Sequence, residues 1–291
     1  MNSKFSPNRL NLQTGNLSEI ETQLLIDAVY LKYGYDFRDY ACPSLTRRIH
    51  NFMIKSRYKQ ISRIIPDILR DEALFDHFIN QICVSVTEMF RDPAVYREAR
   101  KRIIPFLSSF PRINVWHAGC ATGEEVYSFA ILLAEEGLYE RANIYATDMD
   151  PKSIEIARNG IYPIEAIQQG TDNYRQSGGK ASFSDYYHAR YGKAILPAWL
   201  KQNITFSTHN LATDTVFNCM HLIVCRNVLI YFNKHLQDRV LELLSRSLAH
   251  NGLLVLGTKE RLDFSSVSGE FEPIDRKLRI YRKTGLNGEC I

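Results

Sequence analysis

The spacing of apolar residues divides the chain into two parts. Up to about residue 84, apolar positions recur every three or four residues, which is typical of amphipathic helices. Beyond it, short β-prone apolar runs alternate with helical patterns, which predicts a doubly wound α/β sheet ending in a β-hairpin. We therefore predict a flexible tail over 1–16, an all-α domain over 17–84 and an α/β domain over 85–291.

The all-α part begins with signals for helix capping. Ser18 and Glu21 match a capping box at the start of the first helix, and Gly34 is placed to end it. A second helix is expected from about Ser44, followed by two more helical stretches before residue 84. The residues expected to face the core are Ile20, Leu24, Ala28 and Leu31 on the first helix, and Leu45, Ile49, Phe52 and Met53 on the second.

The α/β part is organised around a turn of small residues. A β-prone run over 113–116 stops at Gly119, and a helical pattern follows Gly123. A ligand can approach the backbone closely at such a turn, and the helix that follows presents free amides. The next predicted strand ends on Asp148, about 25 residues later, the βαβ distance at which an acid can bind a ribose diol. This pattern favours a nucleoside ligand, and the absence of Gly-x-Gly-x-x-Gly counts against NAD and FAD.

The remaining elements extend the sheet. We predict a helix over 151–159, further strands over 204–208, 221–225 and 252–257, and a hairpin over 271–282. A helix capped by Asn233 and closed at 251–252 precedes the last buried strand. Since ligands bind at the carboxyl ends of parallel strands, the residues expected to converge there are Gly119, Asp148, Asn210 and Asn227.

One stretch, 162–203, breaks the αβ rhythm. It is rich in Gly, Ser, Asn and Tyr and has no clear helix or long strand. Because bare loops of this length are uncommon in compact domains, we predict a small inserted subdomain.

Composition narrows the class of protein. An apolar fraction of 45% over 291 residues is that of an ordinary globular chain, and a net charge of +4 does not by itself indicate nucleic-acid binding. The six cysteines contain no Cys-x-x-Cys pair, which excludes the common zinc spacings and predicts no metal and a reducing, cytoplasmic setting. Neither a secretion signal nor an apolar run of about 18 residues is present, so we expect no membrane insertion.

Basic residues are concentrated between Arg38 and Arg63, where seven Lys and Arg side chains accompany one acid, Asp39. A solvated helix surface is the ordinary explanation, and a docking face for an acidic protein or nucleic acid is the alternative. The interleaved exposed aromatics of a single-strand groove are missing. If the segment is such a docking face, the candidate substrate contacts on it are Arg47, Arg48 and Lys55.

The linker between the two domains has capping signals of its own. Thr87 or Asp92 can cap a helix whose first residue is Pro93. Capping and a surface ion pair would explain Thr87 and Arg91, and a role in a ligand site would explain them equally well.

Five stretches in this order resemble the CheR-type chemotaxis receptor methyltransferases over nearly the whole chain. The resemblance implies a class I S-adenosylmethionine-dependent methyltransferase fold and esterification of glutamate side chains on chemoreceptor signalling helices. It also implies that the basic N-terminal helix recognises the receptor. The matching stretches are Thr-Glu-Met-Phe-Arg at 87–91, Ala-Thr-Gly-Glu-Glu-Val-Tyr-Ser at 121–128, Ala-Thr-Asp-Met-Asp at 146–150, Asn-Leu at 210–211, and Cys-Arg-Asn-Val-Leu-Ile-Tyr-Phe at 225–232.

The resemblance also assigns site residues. Arg91 is expected on the methionine carboxylate of the cofactor and Tyr231 near its methyl group, and these two are the catalytic candidates. Ser85 stands where relatives often carry Asn, and the insert lacks the glycine-rich loop of relatives that tether to a receptor tail, so we predict no tethering. The expected cofactor-binding residues are Ser85, Thr87, Arg91, Gly119, Glu124, Glu125, Asp148, Asn210, Leu211, Arg226 and Asn227.

The expected chemistry needs few special groups. A glutamate carboxylate is ionised at pH 7 and needs no general base, so the site would act by positioning and by excluding water. We expect a cytoplasmic monomer, recruited to chemoreceptor helices at the inner face of the membrane, that binds no nucleic acid. Two alternatives stay open, a nucleic-acid methyltransferase and a non-catalytic adaptor that senses the cofactor. Against the first, Cys225 runs into Arg-Asn-Val, whereas amino-methylating relatives carry Asn-Pro-Pro-Tyr.

Overall fold

The computed structural model describes residues 16–82, 87–216 and 219–285. The chain separates into two compact units, Met1–Ile82 and Cys83–Ile291. Ser85 and almost all of the predicted tail lie outside the described residues.

The first unit is helical. It contains α1 (Leu17–Tyr33), α2 (Cys42–Lys55), α3 (Ile64–Ile68) and α4 (Glu72–Ile82), with a 3₁₀ turn at Ile61–Arg63. Gly34 ends α1 in the left-handed conformation, as predicted. The predicted capping box is wrong, because Asn16 is the N-cap and its side chain accepts the Ser18 amide at 3.3 Å. The Glu21 carboxylate accepts the hydroxyl of Ser62 instead, at 2.5 Å.

The predicted buried face of α1 is also wrong. Ile20, Leu24 and Leu31 are 50%, 54% and 81% exposed. Apolar residues surround this helix on every side, so their spacing alone does not select one face. On α2 the prediction is confirmed for Leu45, Ile49 and Phe52, whereas Met53 is only partly buried. The residues that α1 buries are Thr22, Leu25, Ile26 and Val29.

The assignment of Arg48 to a substrate-binding surface needs correction. Arg48 is only 8% exposed, and its guanidinium donates a hydrogen bond to the carbonyl of Ile82. Arg47 is exposed, and Lys55 is exposed while donating to Gln81 Oε1 at 2.8 Å. The sequence does not distinguish Arg47 from Arg48, because the two are adjacent and equally basic. Successive residues of a helix point in directions about 100° apart, so one of them can face the core while the other faces solvent.

The second unit contains, within the described ranges, a seven-stranded sheet in the order β6–β2–β1–β7–β8–β10–β9. Neighbours from β6 to β8 are parallel, whereas β10 is antiparallel to both β8 and β9. The predicted doubly wound sheet with a terminal hairpin is therefore confirmed. The strands are β1 (Ile113–Ala118), β2 (Ala142–Asp148), β6 (Ile204–Thr208), β7 (Met220–Cys225), β8 (Leu248–Leu256), β9 (Phe271–Asp275) and β10 (Ile280–Lys283).

Helices cover both faces of this sheet. In α10 the Asn233 side chain accepts the Leu236 amide at 2.9 Å, which confirms the predicted cap. The predicted closure of this helix at 251–252 is wrong, since the chain leaves the helix directly into β8 and 251–252 lie within that strand. The helices outside the insert are α5 (Pro93–Glu98), α6 (Ile104–Ser108), α7 (Glu124–Glu135), α8 (Pro151–Asn159) and α10 (Lys234–Ser247), and a π-helical segment, Ala99–Ile103, joins α5 to α6.

The segment between β2 and β6 holds more structure than its sequence suggested. It forms a 13-residue helix, α9 (Ile164–Gln176), and a small antiparallel sheet of β3 (Ile161–Pro163), β5 (Lys193–Ile195) and β4 (His188–Arg190). The expectation of no clear helix is therefore wrong. Gly170 weakens the helical pattern, but a Cβ there would lie 2.6 Å from Met89 Cβ, so packing explains the glycine.

We predict that Arg48→Ala lowers the free energy of unfolding by about 1.5–3 kcal/mol, the usual contribution of a hydrogen bond from a charged group. Arg47→Ala is the matched control and should change it by less than about 0.5 kcal/mol, because its side chain is exposed. Urea unfolding of the full chain measures both. Equal effects of the two substitutions would contradict the structural role of Arg48.

Candidate active site

The carboxyl edge of the parallel strands brings the predicted residues together. The strands β6, β2, β1 and β7 are consecutive in the sheet, and Ala118 pairs with Thr147 while Asp148 pairs with Thr208. The predicted convergence on one edge is therefore confirmed for Gly119, Asp148, Asn210 and Asn227, each of which ends or follows one of these strands.

The turn after β1 needs its glycines. Gly119 has φ +76°, and a Cβ there would lie 2.4 Å from Val228 Cγ2. Gly123 has φ +94°, and its Cβ would lie 2.8 Å from Ala157 Cβ. The amides of Gly119 and Cys120 both donate to the Thr147 carbonyl, at 2.8 and 2.9 Å. Strand β2 thus holds a tight turn whose two glycines are required because Val228 and Ala157 pack closely against them.

Asp148 closes the turn from the neighbouring strand. Its Oδ2 accepts the Ala121 amide at 2.8 Å and its Oδ1 accepts the Asp150 amide at 3.0 Å. Burial raises the pKa of Asp148, and these two amides oppose that shift. Each carboxylate oxygen keeps further acceptor capacity, because an ionised carboxylate offers about four lone-pair sites. The residue can therefore accept hydrogen bonds from a diol, and its contact with a ribose stays a prediction.

A buried ionic cluster supports the site beside this turn. Arg226 is 6% exposed, and its Nη1 donates to Glu125 Oε2 at 2.6 Å while its Nη2 donates to Asp92 Oδ2 at 2.5 Å. The carbonyl of Arg91 accepts a longer bond from the same Nη1, at 3.4 Å. Burial alone would raise the pKa of Glu125, but Arg226 and His117 hold it below its usual range. Arg226 thus connects the loop after β7 to the start of α7 and to the segment that precedes α5. Direct contacts of Arg226 and Glu125 with the cofactor stay predictions.

The two adjacent glutamates differ in environment. Glu124 Oε2 accepts the Thr122 hydroxyl at 2.7 Å, and burial raises the pKa of this carboxyl. Glu125 instead forms an ion pair with Arg226, which lies on the loop after β7. Of the pair, Glu124 therefore has more acceptor capacity left for a ligand.

Sequence reasoning missed Glu260. This carboxylate is 3% exposed and accepts the amides of Asn227 at 3.1 Å, Val228 at 2.8 Å and Gly257 at 2.5 Å. It fixes the loop after β7, where Asn227 adopts the left-handed conformation with φ +61°. Burial raises the pKa of Glu260, and the backbone amides oppose that shift. The available signal was an acid placed just after the buried strand β8.

The other predicted residues lie on loops of the same unit. Asn210 Oδ1 accepts the Ala212 amide at 3.0 Å, which shapes the loop after β6, and Leu211 is buried. Arg91 lies between Phe90 and Asp92, which both have positive φ, and Tyr231 ends a 3₁₀ turn after β7. Asp92 is at the N-cap position of α5, as predicted, but its side chain bonds to Arg226 and does not cap. Thr87 is partly buried.

The described residues contain neither a cluster of metal ligands nor a membrane-spanning helix. Among the residues that the structure describes, no three His, Cys, Asp or Glu side chains are grouped to hold a metal ion. In the same residues, no helix has the length and apolar character needed to cross a membrane.

Comparison with known proteins identifies the family. Residues 85–279 match the model described as the CheR methyltransferase SAM binding domain, and residues 20–83 match the CheR methyltransferase all-alpha domain. This chain belongs to the CheR methyltransferase family. Its second unit is accordingly a class I, S-adenosylmethionine-dependent methyltransferase domain, which confirms the predicted fold class.

Individual relatives of the CheR family align over most of this chain. The Pseudomonas putida protein Cher3 is 49% identical over 92% of this chain and 98% of its own length. A chemotaxis protein methyltransferase of Listeria innocua is 31% identical over 79% of this chain and 85% of its own. Chemotaxis protein methyltransferase 2 of Pseudomonas aeruginosa is 32% identical over 65% of this chain and 68% of its own.

We predict that Arg226→Met destabilises the protein by about 3–5 kcal/mol, because it removes the arginine partner of the buried Glu125 carboxylate. The double variant Arg226→Met/Glu125→Gln should recover part of this loss. Arg282→Met is the control, since it breaks the exposed pair with Glu272 and should cost about 1 kcal/mol or less.

The dependence on pH has a defined sign. In the native protein the lowered pKa of Glu125 contributes stability above its unfolded value of about 4.3, which is lost as pH falls through the folded pKa. In Arg226→Met the strongest influence that lowers this pKa is lost and burial raises it, so ionisation of Glu125 should destabilise the variant as pH rises. Urea unfolding at several pH values tests this, and parallel pH profiles of the two proteins would contradict the assignment.

Proposed function

We propose that this protein is an S-adenosylmethionine-dependent protein-glutamate O-methyltransferase that acts on chemoreceptors. The products would be glutamate 5-O-methyl esters and S-adenosylhomocysteine, formed for adaptation in chemotaxis. Membership of the CheR family and the chemotaxis names of the Listeria and Pseudomonas aeruginosa relatives support this proposal. The observation that carries it is the glycine turn with Asp148 beside it, which suits a nucleoside at the edge where such folds bind ligands.

S-adenosylmethionine, when bound, supplies an electrophilic methyl group on a cationic sulfonium. We assign Asp148 to the ribose diol, because both of its oxygens keep acceptor capacity. We assign Glu124, rather than Glu125, as the second carboxylate available to the cofactor. Arg91 is assigned to the carboxylate of the methionine part, and the other proposed contacts are Thr87, Gly119, Asn210, Leu211 and Asn227.

The reaction proposed here asks the chain for positioning and exclusion of water. A glutamate carboxylate is already a nucleophile at pH 7, and charge on both reactants diminishes as the methyl group transfers. An arginine on the attacking carboxylate would lower its nucleophilicity, so pairing Arg226 with Glu125 and Asp92 keeps one guanidinium away from it. Tyr231 is assigned as a hydroxyl that orients the acceptor. Positioning of this kind can lower a barrier by about 7–11 kcal/mol.

The basic segment of the helical unit is proposed to bind the receptor, with Arg47 and Lys55 as contacts and without Arg48. Because receptor methylation helices are rich in glutamate, opposite charge would speed their encounter with this surface. The protein would act in the cytoplasm, at receptors on the inner face of the membrane.

We predict that Asp148→Ala weakens binding of S-adenosylhomocysteine at least tenfold, since hydrogen bonds to a charged group contribute about 1.5–3 kcal/mol each. Asp172→Ala, which removes an exposed acid from α9, is the control and should bind as the native protein does. Titration calorimetry measures both affinities. Native affinity in a folded Asp148→Ala protein would remove Asp148 from the cofactor site.

We further predict that labelled S-adenosylmethionine and chemoreceptor-containing membranes give a methylated receptor whose label is released by mild alkali. Methyl esters hydrolyse under these conditions, whereas N-methyl groups do not. Parallel reactions with DNA and RNA should stay unlabelled. Alkali-stable label would favour the nucleic-acid or amine class, and cofactor binding without any transfer would favour an adaptor.

A further inference from the structure

A cleft lies on the methyltransferase unit beside the loop that follows β7. Its volume is about 480 Å³, and it runs between α10 and the segment after β8. The apolar part of its lining is formed by Leu229, Ile230, Leu241 and Phe264. Phe264 is 71% exposed, so the cleft presents an aromatic side chain to solvent.

The rim of the cleft is positively charged. Lys234, Lys259 and Arg261 line it and are all exposed. Within the described ranges none of the three forms an ion pair with an acidic side chain. The acids that line the same cleft are already engaged, since Asp238 accepts the amide and hydroxyl of Ser266, at 2.7 and 3.0 Å, and Glu260 accepts backbone amides.

The cleft is continuous with the proposed catalytic loop. Leu229 and Ile230, which line it, directly precede Tyr231, and Val228 on the other side packs over Gly119 of the cofactor turn. Glu260 also belongs to both places, because it lines the cleft and fixes the Asn227 and Val228 amides. A molecule in the cleft would therefore contact residues that directly precede Tyr231, the proposed orienting hydroxyl, in the chain.

We propose that this basic cleft (Leu229, Ile230, Lys234, Leu241, Lys259, Arg261 and Phe264) binds the glutamate-bearing amphipathic helix of the substrate. Aliphatic side chains of such a helix would bury against the apolar floor, and its carboxylates would meet the unpaired cations. A phosphate backbone offers nothing to bury against that floor, which disfavours nucleic acid as the occupant. The inference rests on the proposed function, since it takes a glutamate side chain as the acceptor.

The test uses a fluorescent, hydrocarbon-stapled peptide helix with leucines and glutamates on one face, and a counterpart with glutamine for every glutamate. Fluorescence anisotropy should show binding of the glutamate peptide by the native protein and weak binding of the glutamine peptide. The variant Lys234→Gln/Lys259→Gln/Arg261→Gln should bind the glutamate peptide about tenfold more weakly, because each exposed ion pair adds only a small factor. Phe264→Ser should weaken it separately.

The matched control is Arg112→Gln/Lys193→Gln/Lys277→Gln, which removes three exposed positive charges outside the cleft. It should keep the native affinity for the peptide within about twofold, since such screened, distant charges contribute little. All variants should bind S-adenosylhomocysteine in calorimetry as the native protein does, which separates docking from the cofactor site.

Four results would overturn the inference: native peptide affinity in both cleft variants, equal losses in the control, equal binding of the glutamine peptide, or tighter binding of a DNA duplex of similar length. The receptor-membrane assay keeps failure of the proposed function distinct. Cleft-dependent peptide binding with no alkali-labile methyl on any receptor would reject glutamate methylation and leave the docking surface standing. An unchanged Michaelis constant for receptor in both cleft variants would reject the docking surface alone.

Discussion

The candidate site depends on buried carboxylates that hold the turn after β1 and the loop after β7 against each other. Glu260 receives the amides of the loop after β7, and Arg226 in that loop reaches Glu125 and Asp92. Val228 then packs over Gly119, where a side chain would collide with it. Breaking a buried pair costs more than forming it gains, so these charges fix one arrangement of the loops more than they add to stability. The methyltransferase edge is in this sense pre-formed before any ligand arrives.

The inserted segment contributes to the same support from the outside. Asn173 of α9 donates to the Met89 carbonyl at 3.2 Å, and Phe90 packs against Tyr174 and Phe183 of the insert. The insert is held in turn by Glu135 at the end of α7, which accepts the Tyr186 hydroxyl and the Lys180 amide, each at 3.0 Å. Since Arg91 follows directly on Phe90, a residue proposed to bind the cofactor is positioned by a subdomain that has no strand in the main sheet.

The sequence was sufficient to predict the elements that arise from periodic patterns of apolar residues. It did not reveal features that depend on contacts between residues far apart in the chain. The alternation of strands and helices followed from the sequence pattern, and Asp148 and Asn227 could be placed because strand ends converge in any doubly wound sheet. The buried face of α1 could not be predicted, because apolar residues surround that helix. The inward direction of Arg48 and the role of Glu260 depend on carbonyls and amides that only the fold brings near. A cluster of charged residues in the sequence therefore predicts a binding surface only once the burial of each side chain is known.

The difference between buried and exposed charges also determines which charged side chains are available to bind a partner. In the methyltransferase unit buried Arg226 is paired with Glu125 and Asp92, whereas exposed Lys234, Lys259 and Arg261 have no acidic partner among the described residues. An acidic acceptor that stays ionised gains from such cations at a distance, because they raise its local concentration without binding the attacking oxygen. Cations close to the reacting carboxylate would instead reduce its nucleophilicity. A site with its central arginine already paired and its free cations on the rim of the cleft would meet both requirements of the proposed carboxylate methylation.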